Sequence, residues 1–348
     1  MLATALIQRS SVTTSAVVVL VASGVFGPIN EPNTLSMAVP IIMGANIGTT
    51  ITSIIVSLGH ITVRSEYRRA ISASTLHSLF NIITVIILLP LEIFFGILSK
   101  PAASMANWLT QVGPENEGIF SMLQYVRNII APIPNMLIEL GNNTFGEDNL
   151  AVPITLAIVA LVVLFFSLWQ LTRLVRKLVI GRFRERLEGI FFSHPLKALG
   201  WGIGLTALVQ SSSATTALTV PLVATGKIAL RKAFPFIIGA NIGTTVTAMV
   251  AAMLATGGQL FPGLAVAFCH VLFNLLGALI LLPIASIRAF PVRIAKKLGK
   301  LTLNNRIVGI SYLVVTFFLI PFLLILLSRN LPQHLPAHAN GGKIESQR

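Results

Sequence analysis

Two short polar runs interrupt an otherwise apolar chain: Gln8-Arg9-Ser10-Ser11-Val12-Thr13-Thr14 and Gln210-Ser211-Ser212-Ser213-Ala214-Thr215-Thr216. Hydroxyls, a glutamine amide and backbone carbonyls freed at a chain break are hard oxygen ligands, the set a small cation takes. Backbone N–H groups opening a helix after such a break present a positive dipole end, which favours an anion. A second pair, Gly44-Ala45-Asn46-Ile47-Gly48-Thr49-Thr50 and the identical run Gly239 to Thr245, adds the Asn46 and Asn241 amides and the Thr49 and Thr244 hydroxyls. The flanking glycines predict a break in each of these helices, with the asparagine inside it. Close helix packing on small residues would explain one such stretch; two matched pairs favour a site. His77 and His270 stand four residues before Asn81 and Asn274, so each pair shares a helix face. A hydrogen-bonded packing histidine fits that spacing better than a proton relay.

The composition says what kind of elements must hold these runs. Of 348 residues, 54% are hydrophobic and 10% charged, with a mean hydropathy of +0.84; soluble domains carry about 25% charged residues. The chain therefore reads as an all-α polytopic membrane protein, which excludes a soluble enzyme or a nucleic-acid-binding module. Its net charge of +14 marks cytoplasmic loops instead of a nucleic-acid footprint. No cleavable signal peptide is visible at the start, and the single Cys269 excludes an intrachain disulfide.

The polar runs recur in one order. Thr4 to Thr14 returns as Thr206 to Thr216, and the Gly-Ala-Asn run follows in both places. His77-Ser78-Leu79-Phe80-Asn81, closing at Leu89-Pro90, then returns as His270-Val271-Leu272-Phe273-Asn274, closing at Leu282-Pro283. Such a series marks a duplicated unit. Between the first two motifs, copy one has Pro28-Ile29-Asn30-Glu31-Pro32 where copy two has Lys227, Arg231 and Lys232. After the second motif the asymmetry reverses, with Arg64, Arg68 and Arg69 against Thr256-Gly257-Gly258-Gln259. Basic loops stay in the cytoplasm, so the repeat is expected to be inverted.

From Pro195 to Val209 is 15 residues, about 22 Å of helix against a hydrocarbon core of about 30 Å. That predicts a re-entrant hairpin turning at Ser211–Ser213. Copy one would turn at Gln8–Ser11, with its entering half apparently truncated because seven residues precede Gln8. The expected organisation is a first inverted repeat over 1–95 and a connector over 96–189, made of an acidic outside loop, one span (151–172) and a basic inside loop. A second repeat covers 190–290, and a basic interfacial segment, last span and tail cover 291–348. Arg288, Arg293, Lys296, Lys297, Lys300 and Arg306 read as a cytoplasmic anchor touching anionic lipid.

Carboxylates argue against an intramembrane enzyme. None lies between Gly189 and Ile344, and Ser212 has no evident acid or histidine beside it. A channel would want a continuous polar stripe instead of two isolated tips. A secondary transporter accounts for the repeats and the paired polar tips.

Both motifs, found twice, resemble the type II sodium-dependent phosphate cotransporter family, over residues 4–90 and 206–283. The resemblance implies sodium-coupled uptake of inorganic phosphate through the cell membrane by a multi-pass, inverted-repeat transporter, each copy having a re-entrant helical hairpin and a broken transmembrane helix. Sodium is then the coupling ion, with no other cofactor; phosphate and the bilayer are the remaining partners, nucleic acid is not, and a homodimer is compatible. Substrate and sodium would be held by Gln8, Ser10, Ser11, Gln210, Ser211, Ser212 and Ser213. Thr13, Thr14, Thr215, Thr216, Asn46, Asn241, Thr49 and Thr244 would be their neighbours. The alternatives are an ion or anion channel, or a transporter of another oxyanion. Arg9 departs from the family's serine; it would contact phosphate, replace a sodium charge, or face a cavity. Glu31 is the only acid before Arg64 and falls in an outside loop. With no carboxylate expected in the interior, sodium must be held by neutral oxygens and phosphate itself, which predicts electroneutral uptake with one or two sodium ions per phosphate.

Overall fold

The computed structural model describes residues 1–8, 10–26, 32–112, 191–254 and 260–330, with a few isolated positions between 132 and 162. Arg9, Glu31, the loop 255–259, most of the expected span 151–172, the basic run 173–188 and the tail from 331 lie outside the described residues. Every regular element among the described residues is a helix. In the first half these are α1 (Leu2–Ile7), α2 (Ser10–Ala22), α3 (Pro32–Thr49), α4 (Ile51–Leu58), α5 (Arg64–Phe95) and α6 (Ser99–Val112). In the second half they are α7 (Pro195–Val209), α8 (Ser212–Ala224), α9 (Leu230–Leu254), α10 (Leu260–Leu281), α11 (Ala285–Asn304) and α12 (Ile307–Val314). A π-helical turn (Val315–Leu319) then leads into α13 (Ile320–Asn330).

Among the described residues, five stretches are long and apolar enough to cross a membrane: Met37–Leu58, Arg64–Phe95, Leu230–Leu254, Leu260–Leu281 and Ile307–Leu327. The chain is an all-α, multi-pass membrane protein. The apolar helices α2, α7 and α8 are shorter, and the 15 residues of α7 reach about 22 Å. Pro195 opens α7 at a position where a missing N–H costs nothing, and the His194 side chain accepts from the Leu196 N–H (3.3 Å).

The expected break at each Gly-Ala-Asn run is not there. α9 runs unbroken through Gly239, Asn241 and Gly243, and α3 is parted from α4 only by Thr50, which keeps right-handed helical backbone (φ −71°, ψ −12°). The glycines serve close approach instead. A Cβ on Gly243 would lie 2.5 Å from the Ile203 carbonyl and 2.8 Å from Thr206 Cβ; one on Gly48 would lie 2.5 Å from the Met1 carbonyl and 2.8 Å from Thr4 Cβ. In both halves the short helix that precedes the Gln-Ser run lies directly on this glycine face.

Two large buried clusters hold the described helices together, beside a small one of Ala5, Ile51, Ile54 and Phe317. One gathers Leu76 and Phe80 of α5, Val220 and Val223 of α8, and Phe234 and Ile238 of α9. The other gathers Val17 and Val21 of α2, Met43 of α3, Leu98 beside α6, and Leu264 and Phe273 of α10. The expectation of an interior without carboxylates also needs correcting. Glu92 is buried, because its carboxylate accepts from the Leu98 N–H (2.6 Å) and the Ser99 N–H (3.3 Å). It caps the start of α6 across the turn that Gly96 makes in the left-handed region (φ +65°).

Candidate functional site

The break in backbone regularity falls at the Gln-Ser runs. α1 ends at Gln8 (φ 59°) and α7 ends at Gln210 (φ 51°), the two non-glycine residues with positive φ among those described. A left-handed, non-glycine residue costs roughly 1–2 kcal/mol, and such strain gathers at functional sites. The reversal at each glutamine ends the entering helix, and the returning helix starts two residues later, at Ser10 or Ser212. In copy two the turn therefore lies at Gln210–Ser211, slightly ahead of the expected Ser211–Ser213. Ser211 then acts as N-cap, its hydroxyl accepting from the Ala214 N–H (3.3 Å).

The two turns meet. The Ser213 hydroxyl donates to the Gln8 carbonyl (3.3 Å), and the Thr52 hydroxyl to the same carbonyl (3.4 Å). Ser213 belongs to the first turn of α8 and Gln8 lies two residues before α2, so the starts of both returning helices lie beside one contact. Ser10, Ser11, Ser211, Ser212, Ser213, Thr14, Thr215 and Thr216 are all buried. Among the described residues, the side-chain amides of Gln8 and Gln210 make no hydrogen bond, and no cluster of three His, Cys, Asp or Glu exists that could ligate a metal. A cation held here would use neutral oxygens.

Equivalent hydroxyls play equivalent local roles. Thr14 donates to the Ser10 carbonyl and Thr216 to the Ser212 carbonyl (both 2.8 Å). Thr49 donates to Ala45 (2.9 Å) and Thr244 to Ala240 (3.0 Å). Thr215 donates to Ser211 (3.1 Å), and the Thr4 hydroxyl reaches Thr13 (3.1 Å). All but Thr4, which links α1 to α2, serve their own helices, and their second lone pairs are what remains for a ligand.

Asn46 and Asn241 are placed differently from the turns. Asn241 Oδ1 meets His77 Nε2 (2.8 Å) and its Nδ2 donates to Asn81 Oδ1 (3.2 Å). Asn46 Oδ1 meets His270 Nε2 (3.2 Å) and its Nδ2 donates to the Ile42 carbonyl (2.9 Å). Each histidine thus clasps the asparagine of the other copy. His77 Nδ1 also contacts the Ser53 hydroxyl (3.2 Å), which continues to Thr216 of the second turn (3.1 Å). The counterpart of Ser53 is Ala248, and correspondingly His270 Nδ1 has no hydrogen-bond partner among the described residues; Asn274 Oδ1 has none there either, because the Asn46 amide donates to Ile42 instead. Ser53 and Thr52 escaped the sequence reading, since both fall just beyond the repeated Gly-Ala-Asn motif; their polar character on an apolar span was the available signal.

Comparison with known proteins bears on what such paired turns do. The profile of the Na+/Pi-cotransporter family matches residues 1–113 and 163–319. Sodium-dependent phosphate transport protein 2A of Rattus norvegicus is 32% identical over 382 residues, covering 92% of this chain and 59% of that protein. Protein 2B of Homo sapiens is 30% identical over 400 residues, with 92% and 56% covered. Protein 2C of Rattus norvegicus is 30% identical over 358 residues, with 83% and 59% covered. The chain thus spans less than two thirds of the length of these relatives. No solved structure matches it. The profile match takes in both Gln-Ser turns, both glycine faces and both histidine–asparagine clasps, and on that extent the chain belongs to the Na+/Pi-cotransporter family.

Proposed function

We propose that the chain is a sodium-coupled symporter that carries inorganic phosphate into the cell, with sodium and phosphate bound where the two Gln-Ser turns meet. The observation that carries this reading is the hydrogen bond from Ser213 to the Gln8 carbonyl, 205 residues apart in sequence. Equivalent turns touching in this way are what a duplicated transporter needs to build one site at the junction of its copies. The ligands would be Gln8, Ser10, Ser11, Gln210, Ser211, Ser212 and Ser213, with Thr13, Thr14, Thr49, Thr215, Thr216 and Thr244 as neighbours; Arg9 adds a charge beside them. Asn46 and Asn241 act from one step back, through the clasps. The names of the relatives, sodium-dependent phosphate transport proteins, support both the ion and the anion. Labelled phosphate uptake into proteoliposomes, with and without a sodium gradient and with sulfate and arsenate as competitors, tests the proposal. Equal uptake without sodium, or preference for sulfate, would sink it.

In this reading residues 1–95 and 190–290 are inverted repeats, 96–189 connects them, and α1–α2 and α7–α8 are re-entrant hairpins. Cysteines placed at Asn30 and Gly257, after Cys269 is removed, should react with an impermeant thiol reagent from outside, and those at Ser65 and Ala229 should be protected. Labelling of both Asn30 and Ala229 would refute the inversion.

Transport should carry no net charge. Glu92, a buried carboxylate, is committed to the Leu98 and Ser99 N–H groups at the start of α6, so this reading gives it no part in neutralising a sodium at the turns. Two sodium ions balance divalent phosphate, and an uncompensated charge would cost several kcal/mol. Initial rates under a potassium–valinomycin clamp should be flat with voltage at a fixed sodium gradient. A steep rise as the interior becomes negative would contradict electroneutrality.

A further inference from the structure

The N-terminal end of α5 and the amphipathic α11 enclose a cavity that the transport reading does not use. It measures about 510 Å³ and is lined by Arg68, Arg69 and Ser72 of α5, Val223 of α8, the Gly226–Leu230 turn, and Lys296 and Lys300 of α11. Gly299 brings the two helices together: a Cβ there would collide with the Ser72 hydroxyl and the Arg68 carbonyl. Its neighbours Lys296 and Lys300, one turn apart, therefore stand over Arg68 and Arg69. Four cations face one space, and none of them forms an ion pair; His60–Glu66 is the one pair among the described residues. Arg69 is further fixed, because its Nε donates to the Ala224 carbonyl at the end of α8 (2.6 Å), with the guanidinium tip lying beside Gly226.

The cavity sits where helices end. α5 begins at Arg64, α8 closes at Ala224 and α9 begins at Leu230. On α11, Ile287, Phe290, Ile294 and Leu301 follow one another at helical spacing and are all exposed. An apolar stripe bordered by lysines is the signature of a helix lying in the interface plane, its apolar face among acyl chains. Basic hollows between helices at that depth suit acidic headgroups, and arginine with lysine matches phosphate oxygens.

We infer that this cavity binds the phosphate group of an acidic phospholipid, its acyl chains lying along the exposed stripe of α11. Through Arg69 the headgroup also steadies the last turn of α8. The soluble source of the same chemistry is inorganic phosphate, and the test separates the two.

The full chain, purified and delipidated, is titrated with dioleoyl phosphatidic acid or dioleoyl phosphatidylcholine and read by native mass spectrometry. Lys296→Gln with Lys300→Gln should weaken phosphatidic acid binding about 10-fold or more. Arg293→Gln with Lys297→Gln removes the same charge from the same helix outside the cavity lining and should weaken binding by no more than about 3-fold, the share due to the general attraction of this basic helix for anionic lipid. Phosphatidic acid should raise the Tm of the wild type and not that of the Lys296/Lys300 variant. Equal losses in both variants, no loss in either, or equal retention of phosphatidylcholine would overturn the site. Displacement of bound lipid by millimolar inorganic phosphate would reject the lipid in favour of the soluble anion.

Discussion

Gln210→Ala and Ser212→Ala are each expected to abolish sodium-driven phosphate uptake while leaving membrane insertion intact. Hydrogen bonds to charged groups are worth about 1.5–3 kcal/mol, so losing one such ligand should slow uptake roughly 10- to 150-fold. Gln210 needs a second variant, because two functions meet in it. Its backbone reverses the chain at φ 51°, and its amide makes no hydrogen bond among the described residues. Gln210→Gly relieves the left-handed strain while removing the side chain and its amide. If the amide binds cargo, both variants fail; if the residue serves the turn alone, Gln210→Gly transports normally and the ligand assignment is wrong. Normal uptake by both Gln210→Ala and Ser212→Ala would remove the turns from the mechanism altogether.

The second large effect is expected at the glycine face of α9. A Cβ on Gly239 meets the Leu199 carbonyl, and one on Gly243 comes within 2.5 Å of the Ile203 carbonyl. Both obstacles are backbone, so α7 must move away as a unit and carry Gln210 with it. Overpacking of this kind costs about 1–3 kcal/mol, or a Tm lower by a few degrees to about 10 °C. Gly200→Ala and Gly204→Ala on α7 are the controls, since an added methyl there meets nothing within 4 Å; alanine's better helix propensity should leave them neutral or slightly more stable. Thermal unfolding followed by size-exclusion chromatography in detergent would show it. A Gly239→Ala protein that melts with the wild type would contradict the direct helix contact.

The sequence and the folded chain agree unevenly, for reasons particular residues make plain. Helix α7 was legible from end to end because Pro195 starts it and Gln210 follows the last apolar residue. The repeat supplied the equivalences by itself, and Gly48 with Gly243, or Thr14 with Thr216, turn out to make the same contacts. Misreading the glycines as helix breaks arose because the same residue type permits both a break and close packing, and only the position of a partner decides between them. The reversal at Gln8 and Gln210 could not be read from residue type, since glutamine has no preference for left-handed backbone. Nor could spacing within one copy reveal that His77 would reach Asn241. Glu92 drew no notice in the sequence, because its role depends on the Gly96 turn bringing α6 back onto it.

The histidine clasps also govern when the protein can be finished. Asn46 waits for His270, 224 residues later, and His77 for Asn241, 164 residues later. At about 5–20 residues per second of synthesis, the first copy spends roughly 10–45 s in the bilayer before its partners exist. During that interval Asn46, His77 and Asn81 are polar groups in a medium that offers few substitutes for water. The first half is therefore an assembly intermediate by construction. The ribosome must release most of the second half before the first can settle.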